Sequence, residues 1–146
     1  MTPWWSSRSF GSTHVEHKPK VSHVVFTVDG VGVTLIPGMR LEMAVTVNVG
    51  HNVNMTIAYL DANGNPMLTP PTPDTPPTWT NTSTSVGTLT VAGGGLTATE
   101  LAIAPGSDVV NLSLTVDNVA FSATLAVTVD AAPQVLTSIQ IVPAVV

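Results

Sequence analysis

Cysteine is absent from the 146 residues. No disulfide framework, cysteine-based zinc site or thiol nucleophile is therefore open to this chain. Charge is scarce as well, at 9% of residues, which excludes a coiled coil, a highly charged disordered protein or a nucleic-acid binder. No run approaches the roughly 20 apolar residues of a membrane-spanning helix, so no membrane partner is expected. The opening MTPWWSSRSF lacks the basic start and apolar core of a signal peptide. The expectation is a soluble chain that works inside the cell that makes it, or in a particle assembled there. Catalytic constellations are missing too. There is no Gly-x-Ser-x-Gly elbow, and His51 is the only histidine after residue 23, so a Ser-His-Asp triad has no material. Neither a catalytic nor a cofactor-binding residue is assigned, and the expectation is a protein that is not an enzyme and takes no cofactor.

What remains is strongly β-leaning. Valine (23) and threonine (21) dominate the composition, and both favour extended backbone. Apolar and polar side chains alternate with period two, the pattern of a strand buried on one face. From Arg40 to Val49, Leu41, Met43, Val45, Val47 and Val49 share a face. Val53, Met55, Ile57 and Tyr59 repeat the pattern, as do Val110 to Val116 and Phe121 to Val129. Asp117-Asn118 joins the last two runs, and both residues tolerate the positive φ of a two-residue hairpin turn. The pattern therefore predicts a hairpin over Asp108–Val129. Further turn signals fall at Asp29-Gly30, Pro37-Gly38, Gly50, Asn63-Gly64, Gly93-Gly94-Gly95 and Pro105-Gly106. Short strands between such signals predict a sandwich or barrel. Thr97–Ala104 is the one ambiguous stretch.

Six of the twelve prolines lie between Pro66 and Pro77. Proline donates nothing to a sheet ladder, so Pro70–Pro77 is expected to be a stiff extended loop, either a contact loop or a guard against edge-to-edge aggregation.

Both ends depart from the body. Residues 1–21 form an expected arm, 22–130 the sandwich and 131–146 a tail. Up to residue 23, Arg8, Lys18 and Lys20 against Glu16 leave net +2, whereas beyond it Arg40 stands alone against eight acids, leaving −7. A mildly basic arm could dock on an acidic neighbour, although it is too sparse for nucleic acid. Trp4 and Trp5 each carry about 150–250 Å² of ring surface that water disfavours. With Phe10 they are candidate anchors on a partner; packing back on the sandwich is the alternative. Val135–Val142 reads as one more strand without an obvious local partner. At about 3.3 Å per residue it would span roughly 25 Å, enough to cross a neighbouring subunit's sheet edge. Leu136, Ile139 and Ile141 are its candidate contacts.

Two metal readings are weak. His14-Val15-Glu16-His17 offers two imidazoles and a carboxylate, but no rigid scaffold supports them. Asp61-Ala62-Asn63-Gly64-Asn65 begins like a calcium loop, yet its glycine is misplaced and Thr72 stands where the bidentate Glu belongs; an Asx turn is expected instead. No metal site is assigned. The sequons at Asn54, Asn81 and Asn111 are what a threonine-rich chain produces by chance.

Pro77-Thr78-Trp79-Thr80-Asn81-Thr82-Ser83, followed by Val86-Gly87-Thr88-Leu89, resembles the central signature of group 2 bacterial immunoglobulin-like domains. Gly95-Leu96-Thr97-Ala98, Ala104-Pro105-Gly106 and FSATLAVTV over Phe121–Val129 are similar to later family elements, in the same order. Leu136-Thr137-Ser138-Ile139 resembles the family's opening strand. The proline-rich stretch is longer than the family's, and Val91-Ala92 lacks the usual acidic or Asn residue before its glycines. The resemblance covers roughly residues 22–130. It implies an all-β, immunoglobulin-like sandwich of the kind found in tailed-phage virion proteins and bacterial surface proteins, with no catalytic residues. Trp79 is then expected between the sheets rather than as an exposed platform for sugar. The function expected from the resemblance and the two reaching ends is a virion component, foremost a capsid decoration protein. Its partners would be the major capsid protein or tail proteins, as a homo-oligomer or assembled on the particle. The alternative is an adhesive or glycan-binding module of a bacterial surface or phage tail protein.

Overall fold

The computed structural model describes residues 20–133. Nine strands follow one another: β1 (His23–Val28), β2 (Val31–Leu35), β3 (Arg40–Asn48), β4 (Asn52–Leu60), β5 (Thr75–Asn81), β6 (Gly87–Ala92), β7 (Thr97–Ala102), β8 (Gly106–Val116) and β9 (Val119–Asp130). A single 3-10 turn at Gly93–Gly95 separates β6 from β7. The strands form a five-stranded sheet in the order β2-β1-β4-β7-β6 and a four-stranded sheet in the order β3-β9-β8-β5. All named pairs are antiparallel except β3 with β9. Two sheets facing each other with this order make an immunoglobulin-like β-sandwich.

Period two explains the core. Val24, Phe26 and Val28 from β1 and Val53, Met55, Ile57 and Tyr59 from β4 point inward from one sheet. Val110 to Val116 of β8 and Phe121 to Val129 of β9, taken alternately, meet them from the other. The β8–β9 turn places Asp117 at φ 51° and Asn118 at φ 61°, as the twist of a tight hairpin demands. The strands extend this hairpin to Gly106–Asp130.

One expectation needs correction. Pro70–Pro77 is not all loop: β5 begins at Thr75 and includes Pro76 and Pro77. It is an edge strand, so one side of its backbone needs no ladder partner, and its register with β8 slips between Thr75 and Thr78, where the prolines sit. Edge position and irregularity are the two conditions under which a strand accepts proline. Asp74 fastens this entry, its Oδ2 accepting the Asn118 N–H at 2.7 Å. Thr97–Ala102 proves to be strand β7.

The ladder registers also fix where the chain enters and leaves. His23 pairs with Leu60 at one end of the sandwich, whereas Asp130 pairs with Asn48 at the other, beside the start of β4. The nine residues of β4 set that separation at about 30 Å.

Candidate functional site: a sealed carboxyl pair and open strand edges

The Trp79–Ser83 stretch is turned into the structure. Trp79 is 8% exposed. Its ring stacks at a tilt on Phe26 of the opposite sheet, with centroids 5.9 Å apart. Its Nε1–H donates to the Gly95 carbonyl at 2.7 Å. Gly95 sits at φ +89°, and a Cβ there would lie 2.9 Å from the Pro77 carbonyl oxygen, so glycine is required for the approach. A buried ring whose N–H is spent inside the fold is no stacking platform for sugar.

Beyond Trp79 the same stretch wraps a buried carboxylate. Asp108 Oδ1 accepts the N–H of Thr82 (2.9 Å), the Thr82 hydroxyl (2.9 Å), and the N–H groups of Ser83 (2.7 Å) and Val109 (2.7 Å). Asn81 Nδ2 donates to its Oδ2 at 3.0 Å and to the Gly87 carbonyl at 2.9 Å. Burial alone would raise the Asp108 pKa, but the hydrogen bonds from Thr82, Asn81, Val109 and Ser83 outweigh it and hold the carboxyl below the ordinary 3.8. The Asn81 amide is thus spent inside the fold.

Glu100 reaches this site from β7, and both carboxyls are 1% exposed. Neither Glu100 oxygen finds a donor among the described residues. An ionised Glu100 would be a buried, unpaired charge beside a second one, whereas a protonated Glu100 donates to Asp108. Burial, the Asp108 charge and that hydrogen bond together push Glu100 up to about 7. Space for its side chain comes from Gly87, where a Cβ would stand 2.8 Å from Glu100 Cδ and 2.9 Å from Cγ.

Glu100 holds its proton more tightly in the folded protein than in the unfolded chain, where its ordinary value is 4.5. Its contribution to stability is therefore complete below pH 4.5 and is lost as pH rises through 7. Asp108 acts oppositely, its contribution fading as pH falls below 3.8. Stability should accordingly peak in mild acid and decline by on the order of 2 kcal/mol toward weakly alkaline pH. Thermal melts from mild acid to weak alkali on the native chain and on Glu100→Gln check this. The variant should lose the decline; an unchanged slope would assign it elsewhere.

Sequence reasoning missed this pair, although a signal exists. In TATELAIA the inward residues are Ala98, Glu100 and Ala102, while Leu101 is 40% and Ile103 44% exposed. The hydrophobic pattern is out of phase with the burial, which is why the segment reads ambiguously. Chemically the pair is closed. It opens into no cleft where a substrate would meet two carboxyls, as acid–base catalysis requires.

The remaining expected sites lie elsewhere. Trp4, Trp5, Phe10, Leu136, Ile139 and Ile141, with the His14–His17 cluster, lie outside the described residues. Asp61 forms the Asx turn, its Oδ1 accepting the N–H groups of Asn63 (2.8 Å) and Asn65 (2.9 Å), with the Asn65 bond foremost in lowering its pKa. Among the described residues no three His, Asp or Glu side chains gather as a metal site, and no helix is long and apolar enough to cross a membrane. What the described surface does offer is open strand edges. Ile36 (56% exposed) and Met39 (60%) project at the link from β2 to β3, both of which are edge strands.

No family model matches the chain, and no curated protein matches it. Solved structures do. Domains 4 and 5 of the S-layer protein SbsC are similar with a TM-score of 0.43 and 18% identity, over 68% of this chain and 57% of that one. The S-layer protein rSbsC(31-844) is similar with a TM-score of 0.47 and 19% identity, over 72% of this chain and 15% of that one. The chain thus spans little more than half of the first and a small part of the second.

Proposed function

We propose that the chain is a non-enzymatic structural protein of a tailed-phage virion, acting as a capsid decoration protein. In this reading it holds neighbouring subunits through the segments on either side of its sandwich. The observation that carries it is the placement of entry and exit. The chain comes in beside Leu60 and goes out beside Asn48, so the sandwich is entered and left at points about 30 Å apart, a separation that would suit two different neighbours. The body between them is a rigid spacer whose one buried acid pair is sealed. The likeness of Trp79–Ser83 and later elements to group 2 bacterial immunoglobulin-like domains supports the virion setting, with the major capsid protein or a tail protein as partner.

The test is occupancy on the particle. Deleting residues 1–20 removes Trp4, Trp5 and Phe10. Aromatic anchors of this size are worth several kcal/mol when buried, so particle occupancy should fall at least about tenfold. Undiminished occupancy would overturn the role of the arm.

A further inference from the structure

We infer that residues 82–87 are a proton-operated latch over the Glu100–Asp108 pair: they open locally as one unit, and the open form becomes at least about tenfold more populated once both carboxyls are charged. This goes beyond the proposed role and stands whether or not the chain is a virion component.

The pair lies close to the margin of its sheet. β6 is an edge strand, and the Glu100 carboxyl packs against Gly87 at its start. Bare backbone rather than a side chain covers the acid there. Thr82, Thr84 and Ser85, in the loop that leads into β6, are exposed. The carboxyls themselves hold this loop down. Asp108 accepts the N–H groups of Thr82 and Ser83 and the Thr82 hydroxyl, and the Asn81 amide bridges Asp108 to the Gly87 carbonyl. The Ser83 carbonyl closes the turn by accepting the N–H groups of Val86 (3.0 Å) and Gly87 (3.1 Å). The other polar ties to the sandwich are the pairing of Thr82 with Val109, the ladder place of Gly87 opposite Ala102, and the Val86 carbonyl, which accepts the Ile103 N–H at 2.8 Å and the Ala104 N–H at 3.3 Å.

A second charge in this place has nothing to offset it. Among the described residues Asp108 is the one titratable group that faces Glu100. β4 and β6 set Val53 and Leu89 beside Glu100, β9 sets Val127 beside Asp108, and β5 brings only the Asn81 amide, which donates already. His51 and Asp130, at the same end of the sandwich, are exposed. With the loop shut, ionisation leaves a dry, unpaired charge beside Asp108. Lifting the loop lets water reach both carboxyls and take over the loop's hydrogen bonds, while the rest of both sheets stays in place. Closing raises Glu100 from its ordinary 4.5 to about 7, so the closed form is favoured in mild acid and loses that advantage as pH rises through 7.

Hydrogen exchange on the full chain tests this. With each rate divided by the unprotected rate at the same pH, protection of the Ser83, Val86 and Gly87 amides should fall at least about tenfold from about pH 5 to about pH 8.5. Their exchange should also be indifferent to low urea, because a local opening exposes little surface. Exchange that rises with urea in step with Leu112 and Leu125 of the β8–β9 hairpin would mean unfolding of the whole sandwich and would overturn the latch. Glu100→Gln has no charge to gain, so its loop protection should not change with pH; a fall like that of the native chain would overturn the inference. Val86→Cys leaves both acids in place and supplies a second measurement in a chain without cysteine. Val86 is buried and Ser85 exposed, so the labelling rate of Val86→Cys relative to Ser85→Cys should rise at least about tenfold over the same pH range, and a constant ratio would overturn the latch as well.

Discussion

Asp108→Ala is expected to cost about 3–5 kcal/mol, a large part of the 5–15 kcal/mol that holds a domain of this size together. The loss is more than one contact. The N–H groups of Thr82, Ser83 and Val109 and the amide of Asn81 all converge on that carboxylate. Without it, half-buried donors at and just beyond the end of β5 and at Val109 lose their acceptor, and each unsatisfied group carries its own desolvation cost. Glu100 loses the acceptor for its proton as well. Denaturant midpoints measure the effect, and a loss below about 1 kcal/mol would show that the loop satisfies itself in another way. Asp108→Asn makes a sharper comparison. Its Oδ1 can still accept the backbone N–H groups, and its amide can donate to an ionised Glu100. It should cost less than alanine and should abolish the loss of stability with rising pH.

Trp79→Ala carries the second large effect, about 3–5 kcal/mol. The cavity would open between the sheets against Phe26, where neither layer can close without breaking its ladder. The Gly95 carbonyl would lose its donor. Trp79→Phe separates these contributions. It keeps a ring against Phe26 and removes the N–H, so it should cost about 1–2 kcal/mol. Equal losses for the two variants would mean that the hydrogen bond, not the volume, dominates the site.

Much of this architecture is legible residue by residue. Alternation along Val53–Tyr59 and Phe121–Val129 marks inward faces that the sandwich does bury. The glycine-bearing turns at Asp29-Gly30, Pro37-Gly38 and Asn63-Gly64 all place glycine at positive φ. Asp117-Asn118 announces its hairpin for the same local reason. The legible features are those in which one residue's conformational preference, or a period of two, decides the outcome without reference to distant chain.

The candidate site was far less legible. Glu100 stands in a run whose larger apolar residues, Leu101 and Ile103, face outward. Nothing local shows that a carboxyl will be buried in phase with two alanines. Only the assembled sandwich makes it tolerable, with Asp108 of the opposite sheet as acceptor and Gly87 of the neighbouring strand β6 as space. The prolines of β5 mislead for a related reason, since proline forbids a central strand but not an edge, and edge or centre is a property of the sheet.

Composition and alternation by themselves determined an all-β chain with an apolar face to each strand, and the turn residues determined where it reverses. These are short-range consequences of side-chain periodicity and backbone sterics. Tertiary structure alone decided which strands became edges, that β3 runs parallel to β9, that entry and exit lie at opposite ends, and that two acids share one buried place. Each of those depends on which segments pair across long stretches of chain, and pairing is settled by the collective burial of both sheets.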